Sequence, residues 1–275
     1  MMKWGIIGTG NMGSILVRAF IESETIKETD CYITNRNMEK AYAIQHQYPD
    51  IQVTKSIYDL VEQTDIIYLC VKPLEMKAVL QEISPYLSEK QLLVSITSAL
   101  STEELEKLVH CQVARMVPSI TNYALAGVTL VTFGSRVDAY KQDQLIQIWS
   151  NFSEVMEIDE SIIRIASDLV SCGPAFFSFL AQKYIHASHQ LTSITEEQAT
   201  ALMEKMLSGY GKLLSEQHFT LTELINKVCV KGGITGIGIA AIEEHYHDLF
   251  EHVIEATHDK FSEDKEMLAK EDTET

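Results

Sequence analysis

The chain has no cysteine pair at CxxC spacing, and its cysteines are odd in number: Cys31, Cys70, Cys111, Cys172 and Cys229. Neither a disulfide framework nor a cysteine-built zinc site fits that pattern, and free thiols in a reducing compartment are expected. Basic side chains are scarce: 22 Lys and Arg stand against 39 Asp and Glu, for a net charge of −17. Nucleic acid is thereby excluded as a partner, since neutralising phosphates requires clustered cations. No apolar stretch approaches a membrane span, so no membrane association is expected. The N-terminus lacks the basic-then-apolar layout of a signal peptide, which leads to the expectation of a cytoplasmic protein. HExxH and GxSxG are missing, and the pairs His186/His189 and His245/His247 lack an acidic partner. No metal site is expected from them. Gly/Pro/Ser-rich linkers, internal repeats and low-complexity tracts are also missing.

What is present is a soluble-globular composition, 46% hydrophobic and 22% charged, in 275 residues. That length suffices for two domains. The most telling segment comes first. Lys3–Ile7 reads as a buried strand, Gly8-Thr9-Gly10-Asn11-Met12-Gly13 follows at once, and Ile15–Ile21 is an apolar helical run. Strand, GxGxxG and helix in that order form the dinucleotide-binding fingerprint. The first glycine makes the tight turn, the second admits a pyrophosphate, and the third lets helix and strand approach. The helix start then offers free N–H groups and positive dipole to phosphate.

Further strands are predicted at 31–34, 51–53, 65–71, 92–96, 112–116, 128–132 and 155–158. Helical patterns lie between most of them, at 12–23, 38–47, 57–63, 75–84, 102–108 and 137–151. Continuous apolar runs such as Ile66-Ile67-Tyr68-Leu69-Cys70-Val71 suit a parallel sheet covered on both faces. Beyond about residue 160 only helices are predicted, at 162–191, 195–217, 222–230 and 235–261. Capping boxes at Ser101/Glu104, Thr195/Gln198 and Thr220/Glu223 start three of the helices. The expected fold class is α/β, a Rossmann-type doubly wound sheet followed by an all-α domain. The expected division is 1–159 for the nucleotide-binding domain and 160–262 for the helical domain, joined tightly near Asp159. Residues 251–275 carry nine acidic and three basic side chains, and 263–275 is expected to be a frayed acidic tail.

The second strand ends in Asn35-Arg36, where NAD enzymes usually place an acidic residue for the ribose 2′-OH. Arg36 suits a 2′-phosphate, with no carboxylate expected to repel it, so NADP is preferred over NAD. Val71-Lys72-Pro73 follows the 65–71 strand, and Ser95, Thr97 and Ser98 the next. Both sets sit at strand carboxyl ends, where ligands of such sheets bind. Gly232-Gly233-Ile234-Thr235 opens a predicted helix and makes a candidate anion site, with Lys231 beside it. The same glycines also suit close helix packing in a dimer core. Cys172 precedes a predicted helix start, which favours a thiolate, although a buried small residue is the commoner fate of a free cysteine.

Six motifs together, 7–13, 35–36, 71–73, 115–119, 172–176 and 231–235, resemble in order and spacing those of the pyrroline-5-carboxylate reductases. The resemblance runs from Met1 to about Phe261. It implies NAD(P)H-dependent reduction of 1-pyrroline-5-carboxylate, a cyclic imino acid, to L-proline, and thus a role in proline biosynthesis. It further implies a helical domain that dimerises, with assembly onward to decamers common in the family. Gly233, Ile234 and Thr235, with Lys231, occupy the stretch that the family uses for the substrate carboxylate. Gly8 to Gly13, Asn35, Arg36 and Val71 to Pro73 occupy its cofactor site. Where the family has Ser-Pro-Gly-Gly-Thr-Thr, this chain has Val230-Lys231-Gly232-Gly233-Ile234-Thr235. It is in this respect similar to a divergent, ComER-like branch from the competence operon of bacilli. The departure leaves an alternative open, a catalytically weak NADP-binding regulatory or assembly protein. The 3-hydroxyacid dehydrogenases share the layout but use a lysine where Phe177 stands here.

Overall fold

The computed structural model describes residues 2–270. Strands β1 (Trp4–Ile7), β2 (Cys31–Thr34), β3 (Gln52–Val53), β4 (Ile66–Leu69), β5 (Leu92–Ser95), β6 (Gln112–Val117), β7 (Val128–Phe133) and β8 (Glu154–Glu157) form one sheet. Its order is β3-β2-β1-β4-β5-β6-β7-β8. Helices α1 (Asn11–Glu22), α2 (Met38–Gln47), α3 (Ile57–Gln63), α4 (Pro73–Ile83), α5 (Thr102–Leu108) and α6 (Ala139–Trp149) connect the strands. Pairing is parallel except between β6 and β7. The expected parallel sheet thus holds for every pair but that one. The 118–127 link holds only a short 3-10 turn and is too short for a helical crossover, so the chain must return antiparallel.

The sheet is covered on both faces. Trp4, Phe20, Tyr68, Trp149 and Phe152 pack together on one side, each at most 2% exposed. The Trp149 indole N–H donates to the Tyr68 hydroxyl over 2.8 Å, so the polar atoms of this aromatic core are satisfied. Leu60, Leu80, Leu93 and Leu105 pack on the other side. Burial pushes the Cys31 and Cys70 thiols far up from their ordinary range, which makes them inert packing groups.

After the sheet come α7 (Ile163–Ser167), a π-helical turn (Asp168–Cys172) and α8 (Gly173–Leu191). Then follow α9 (Glu196–Ser215), α10 (Leu221–Val228), α11 (Ile234–Tyr246) and α12 (Leu249–Lys270). The single helix expected over 235–261 is in fact two. His247 takes a left-handed φ of 41° and ends α11. Asp248 then stands at the start of α12, where a carboxylate favours the helix dipole.

Among the described residues, 2–174 form one compact unit with 256–270, and Ala175–Glu255 form another. Residues 263–270, expected to fray, are the last turns of α12 instead. Leu268 is 2% exposed within the α4-side core, and the buried Lys77 ammonium donates to its carbonyl. That bond satisfies an end-of-helix carbonyl that fraying would leave to water. The rest of the proposed tail, 271–275, lies outside the described residues.

One helical stretch, Glu160–Leu191, is long and apolar enough to cross a membrane by length and composition alone. This corrects the expectation that no stretch approaches a span. Within that stretch α7, the π-helical turn and α8 follow one another along the chain, and their apolar residues add up.

Candidate functional site: a glycine cradle and its adjoining cavity

The glycine fingerprint forms as a strand-turn-helix, and its three glycines have different surroundings. Gly8 has φ +98°, and a Cβ there would stand 2.5 Å from the Cys70 carbonyl oxygen. A Cβ on Gly13 would lie 2.0 Å from the Gly8 carbonyl oxygen. Both positions need glycine so that the chain can close on itself. Gly10 differs: a Cβ there would meet nothing within 4 Å. It caps α1 without a side-chain hydrogen bond, and the first turn carries no acidic residue. Open space over uncapped N–H groups at a helix start is what a pyrophosphate needs. On that geometry Gly8 to Gly13 fit a dinucleotide, with Asn11 and Met12 in the first turn of α1.

The rim beside this cradle is held by hydrogen bonds. Asn35 Nδ2 donates to the buried Thr9 hydroxyl at 2.8 Å, which ties the end of β2 to the glycine turn. Asn37 then caps α2 through its contact with the Glu39 N–H. Arg36 is 89% exposed and its Nη2 lies 3.3 Å from Glu75 Oε1. The expectation that no carboxylate stands near Arg36 is therefore corrected, because α4 brings Glu75 up to it. An exposed pair of this kind holds its partner weakly. Arg36 stands two residues beyond the end of β2.

Val71 packs by the glycine turn, 3.3 Å from the Cβ position of Gly8. Lys72 is the exposed N-cap of α4, and Pro73 is its first residue, where a missing N–H costs no helix bond. Ser95 is fully buried and its hydroxyl contacts Met76 Sδ at 3.6 Å, so it belongs to the core. Thr97 and Ser98 are half-buried on the rim.

Beyond the ends of β4, β5 and β6 lies a cavity of about 370 Å³. Met12 and Val71 line it from the cradle side, Ser98 and Pro118 from the strand ends, and Arg164 and Cys172 from the segment after the sheet. Three contacts fasten that segment to the sheet. The fully buried Arg115 pairs with Glu160 at 2.5 Å, the Ser119 hydroxyl donates to the Val170 carbonyl at 2.6 Å, and the Ser171 hydroxyl donates to the Pro118 carbonyl at 2.8 Å. Arg164 Nη2 meets Asp168 Oδ1 at 2.6 Å, and Asp168 Oδ2 accepts from the Thr257 hydroxyl at 2.7 Å. Arg164 and Asp168 were not singled out from the sequence. Their i,i+4 spacing in a helical pattern was the available signal, hidden by the apolar residues around it. Cys172 corrects an alternative raised above: burial raises its thiol pKa, outweighing the pull of Arg164. The neutral thiol is therefore favoured there.

The proposed anion site lies in the other unit. Gly233 caps α11 with extended backbone and no side-chain cap, after Gly232 at φ 76°. Ile234 is 89% exposed, and Lys231 and Thr235 are exposed as well. Among the described residues these groups are brought together with each other, but not in one unit with the glycine cradle.

Two family models match the chain. One, described as pyrroline-5-carboxylate reductase dimerisation, covers residues 160–264. The other, described as NADP oxidoreductase coenzyme F420-dependent, covers residues 3–99. The chain is 46% identical to ComE operon protein 4 of Bacillus subtilis over 98% of each protein. It is 30% identical to pyrroline-5-carboxylate reductase 3 of the same bacterium, over 98% of this chain and 99% of that one. Among solved structures, a pyrroline-5-carboxylate reductase from Coxiella burnetii matches with a TM-score of 0.83 at 25% identity, covering 97% of this chain and 98% of that one. A Plasmodium falciparum pyrroline carboxylate reductase with NADP bound shares the fold, with a TM-score of 0.80 at 23% identity and the same coverage.

Proposed function

The chain belongs to the pyrroline-5-carboxylate reductase family, and from that premise we propose that it reduces a cyclic imino acid with NADPH, converting 1-pyrroline-5-carboxylate to L-proline. The observation that carries this reading is the open space over Gly10, next to a cavity at the ends of β4 to β6. In doubly wound sheets the dinucleotide lies across the ends of the central strands. The nicotinamide end therefore falls on the β4–β6 side.

When bound, the cofactor supplies a hydride, which adds to the imine carbon while the C=N π pair becomes the nitrogen lone pair or takes a solvent proton. The protein's share is orientation and exclusion of water. The first turn of α1 holds the pyrophosphate, Arg36 faces the 2′-phosphate, and Val71 to Pro73 with Thr97 form the wall beside the nicotinamide. A protonated imine is already an electrophile, so no acid–base pair is required. The N–H groups of Gly233, Ile234 and Thr235 at the uncapped start of α11 receive the substrate carboxylate, with Lys231 adding charge. Replacing Thr235 with Val then raises KM and leaves the NADPH dissociation constant alone.

The helical unit carries the dimer contact. Ile234, Ile237 and Leu191 are 89%, 72% and 84% exposed, a surface that a second copy would cover. All five cysteines are free, which fits a cytoplasmic setting. The test is direct. Purified protein is mixed with NADPH and pyrroline-5-carboxylate, and nicotinamide absorbance is followed. Oxidation at the rate of proline formation supports the reductase. Tight NADPH binding with no turnover of any cyclic imine contradicts it and favours a regulatory or assembly role.

A further inference from the structure

We propose that Arg164 and Ser98 hold the carboxamide arm of the nicotinamide ring, and so fix how the ring is turned in the cavity beyond β4 to β6. The proposal rests on the NADPH reading given above. It concerns the ring end of the cofactor, whereas the glycine cradle and Arg36 concern its phosphates.

A nicotinamide ring is a flat, mostly apolar body with one polar arm, an amide that accepts at oxygen and donates at nitrogen. The cavity offers a complement to both parts. Met12, Val71, Ile96, Val117 and Pro118 give it apolar walls. Most of its polar side chains are already engaged. The Ser167 hydroxyl donates to the Ile163 carbonyl at 2.7 Å, and the Ser171 hydroxyl to the Pro118 carbonyl at 2.8 Å. Thr97 Oγ1 accepts from the Ala99 N–H at 3.2 Å. One corner remains. Arg164 Nη1 makes a single contact among the described residues, 3.3 Å to the Ser98 hydroxyl oxygen. It keeps a second N–H, and the Ser98 oxygen keeps a lone pair. A donor beside an acceptor matches a primary amide: the guanidinium donates to its oxygen, and Ser98 accepts from its N–H.

The charge at this corner points to a neutral arm. Arg164 Nη2 donates to Asp168 Oδ1 at 2.6 Å, and Asp168 Oδ2 accepts from the Thr257 hydroxyl at 2.7 Å. Asp168 is buried and does not line the cavity. Its carboxylate thus offsets the guanidinium charge from behind. An anion would meet a pair without net charge, whereas an amide needs only the hydrogen bonds. Asp168 also opens the π-helical turn that runs to Cys172, and Arg164 Nη2 reaches Cys172 Sγ at 3.7 Å. The guanidinium is therefore held at both ends of that turn, and such turns often sit at functional positions. A donor locked in this way positions a ligand. With its arm seated, the ring no longer rotates about its glycosidic bond, which is the orientation hydride transfer needs.

The experiment is calorimetry on the full chain with two ligands, NADPH and 2′,5′-ADP, which carries the adenosine and its 2′-phosphate but no nicotinamide. Removing Arg164 alone would strand Asp168, so the variant combines Arg164→Met with Asp168→Asn. It should bind NADPH about tenfold less tightly than the unaltered protein does, the worth of a hydrogen bond to a charged group, and 2′,5′-ADP within about twofold. An unchanged NADPH affinity, or equal losses for both ligands, overturns the proposal and leaves Arg164 as a brace. A second measurement needs no variant. In the thionicotinamide analogue of NADPH a sulfur, a weak acceptor, replaces the carboxamide oxygen, and the unaltered protein should bind it about tenfold less tightly than NADPH. Equal affinity for the two overturns the proposal. Binding of 2′,5′-ADP as tight as that of NADPH does the same while leaving the dinucleotide cradle standing. Binding of neither ligand removes the cofactor reading along with it.

Discussion

Apolar side chains make up a similar share of the sheet unit and of the helical unit, but the two units use them differently. In the sheet unit Trp4, Phe20, Tyr68 and Trp149 are all but sealed, and the strand residues of β1, β2, β4 and β5 are buried along their whole length. In the helical unit α10 and α11 contain no buried residue at all. The first unit is closed by its own chain. The second leaves apolar faces exposed, and it lies within the stretch, 160–264, that the dimerisation model matches. Stability and cofactor binding should therefore follow the first unit, and assembly the second.

The sharpest way to break this contrast is a charge on the exposed face. Ile237→Asp should abolish dimers in light scattering, a loss of about 2 kcal/mol or more at an interface hot spot, with NADPH binding retained. A variant that stays dimeric removes Ile237 from the interface. Next in size is Gly13→Ala. The added methyl would meet the Gly8 carbonyl oxygen at 2.0 Å, so a loss of about 3 kcal/mol is expected in denaturant unfolding. An unshifted midpoint would show that the turn can yield. Smaller still is Arg36→Gln, expected to weaken NADPH about tenfold, or ~1.4 kcal/mol, with NADH little changed. Glu75→Gln should act the other way by less than about 1 kcal/mol, since the pair it breaks is exposed. Fluorescence titration with both cofactors reads both variants, and equal losses for NADPH and NADH in Arg36→Gln would remove its phosphate role.

Local pattern made much of the fold legible. All eight strands stand where apolar runs placed them, and α2, α3 and α5 keep their predicted bounds because Asn37, Ser56 and Ser101 cap them. What misled was long-range. The antiparallel return of β7 depends on the shortness of 118–127. The docking of 263–270 depends on one leucine, Leu268, and on Lys77, nearly 200 residues earlier. An acidic composition said nothing of either. The glycine cradle was legible because its requirements are local. The Glu75 approach to Arg36, and the Thr257 hydroxyl's contact with Asp168, were not, since each joins elements far apart in sequence. The helix break at His247 was hidden because histidine and aspartate do not announce a turn as glycine or proline would.

Everything proposed for this chain depends on Gly10 being bare because a phosphate lies over it. Calorimetric titration of the unaltered protein and of Gly10→Val with NADPH tests that most directly. The valine side chain points into open space at an extended backbone position, so folding and melting should scarcely move. NADPH affinity should drop about 100-fold, or ~2.7 kcal/mol. Matching affinities in the two proteins, or no heat from either while both are folded, would contradict a dinucleotide site at the head of α1.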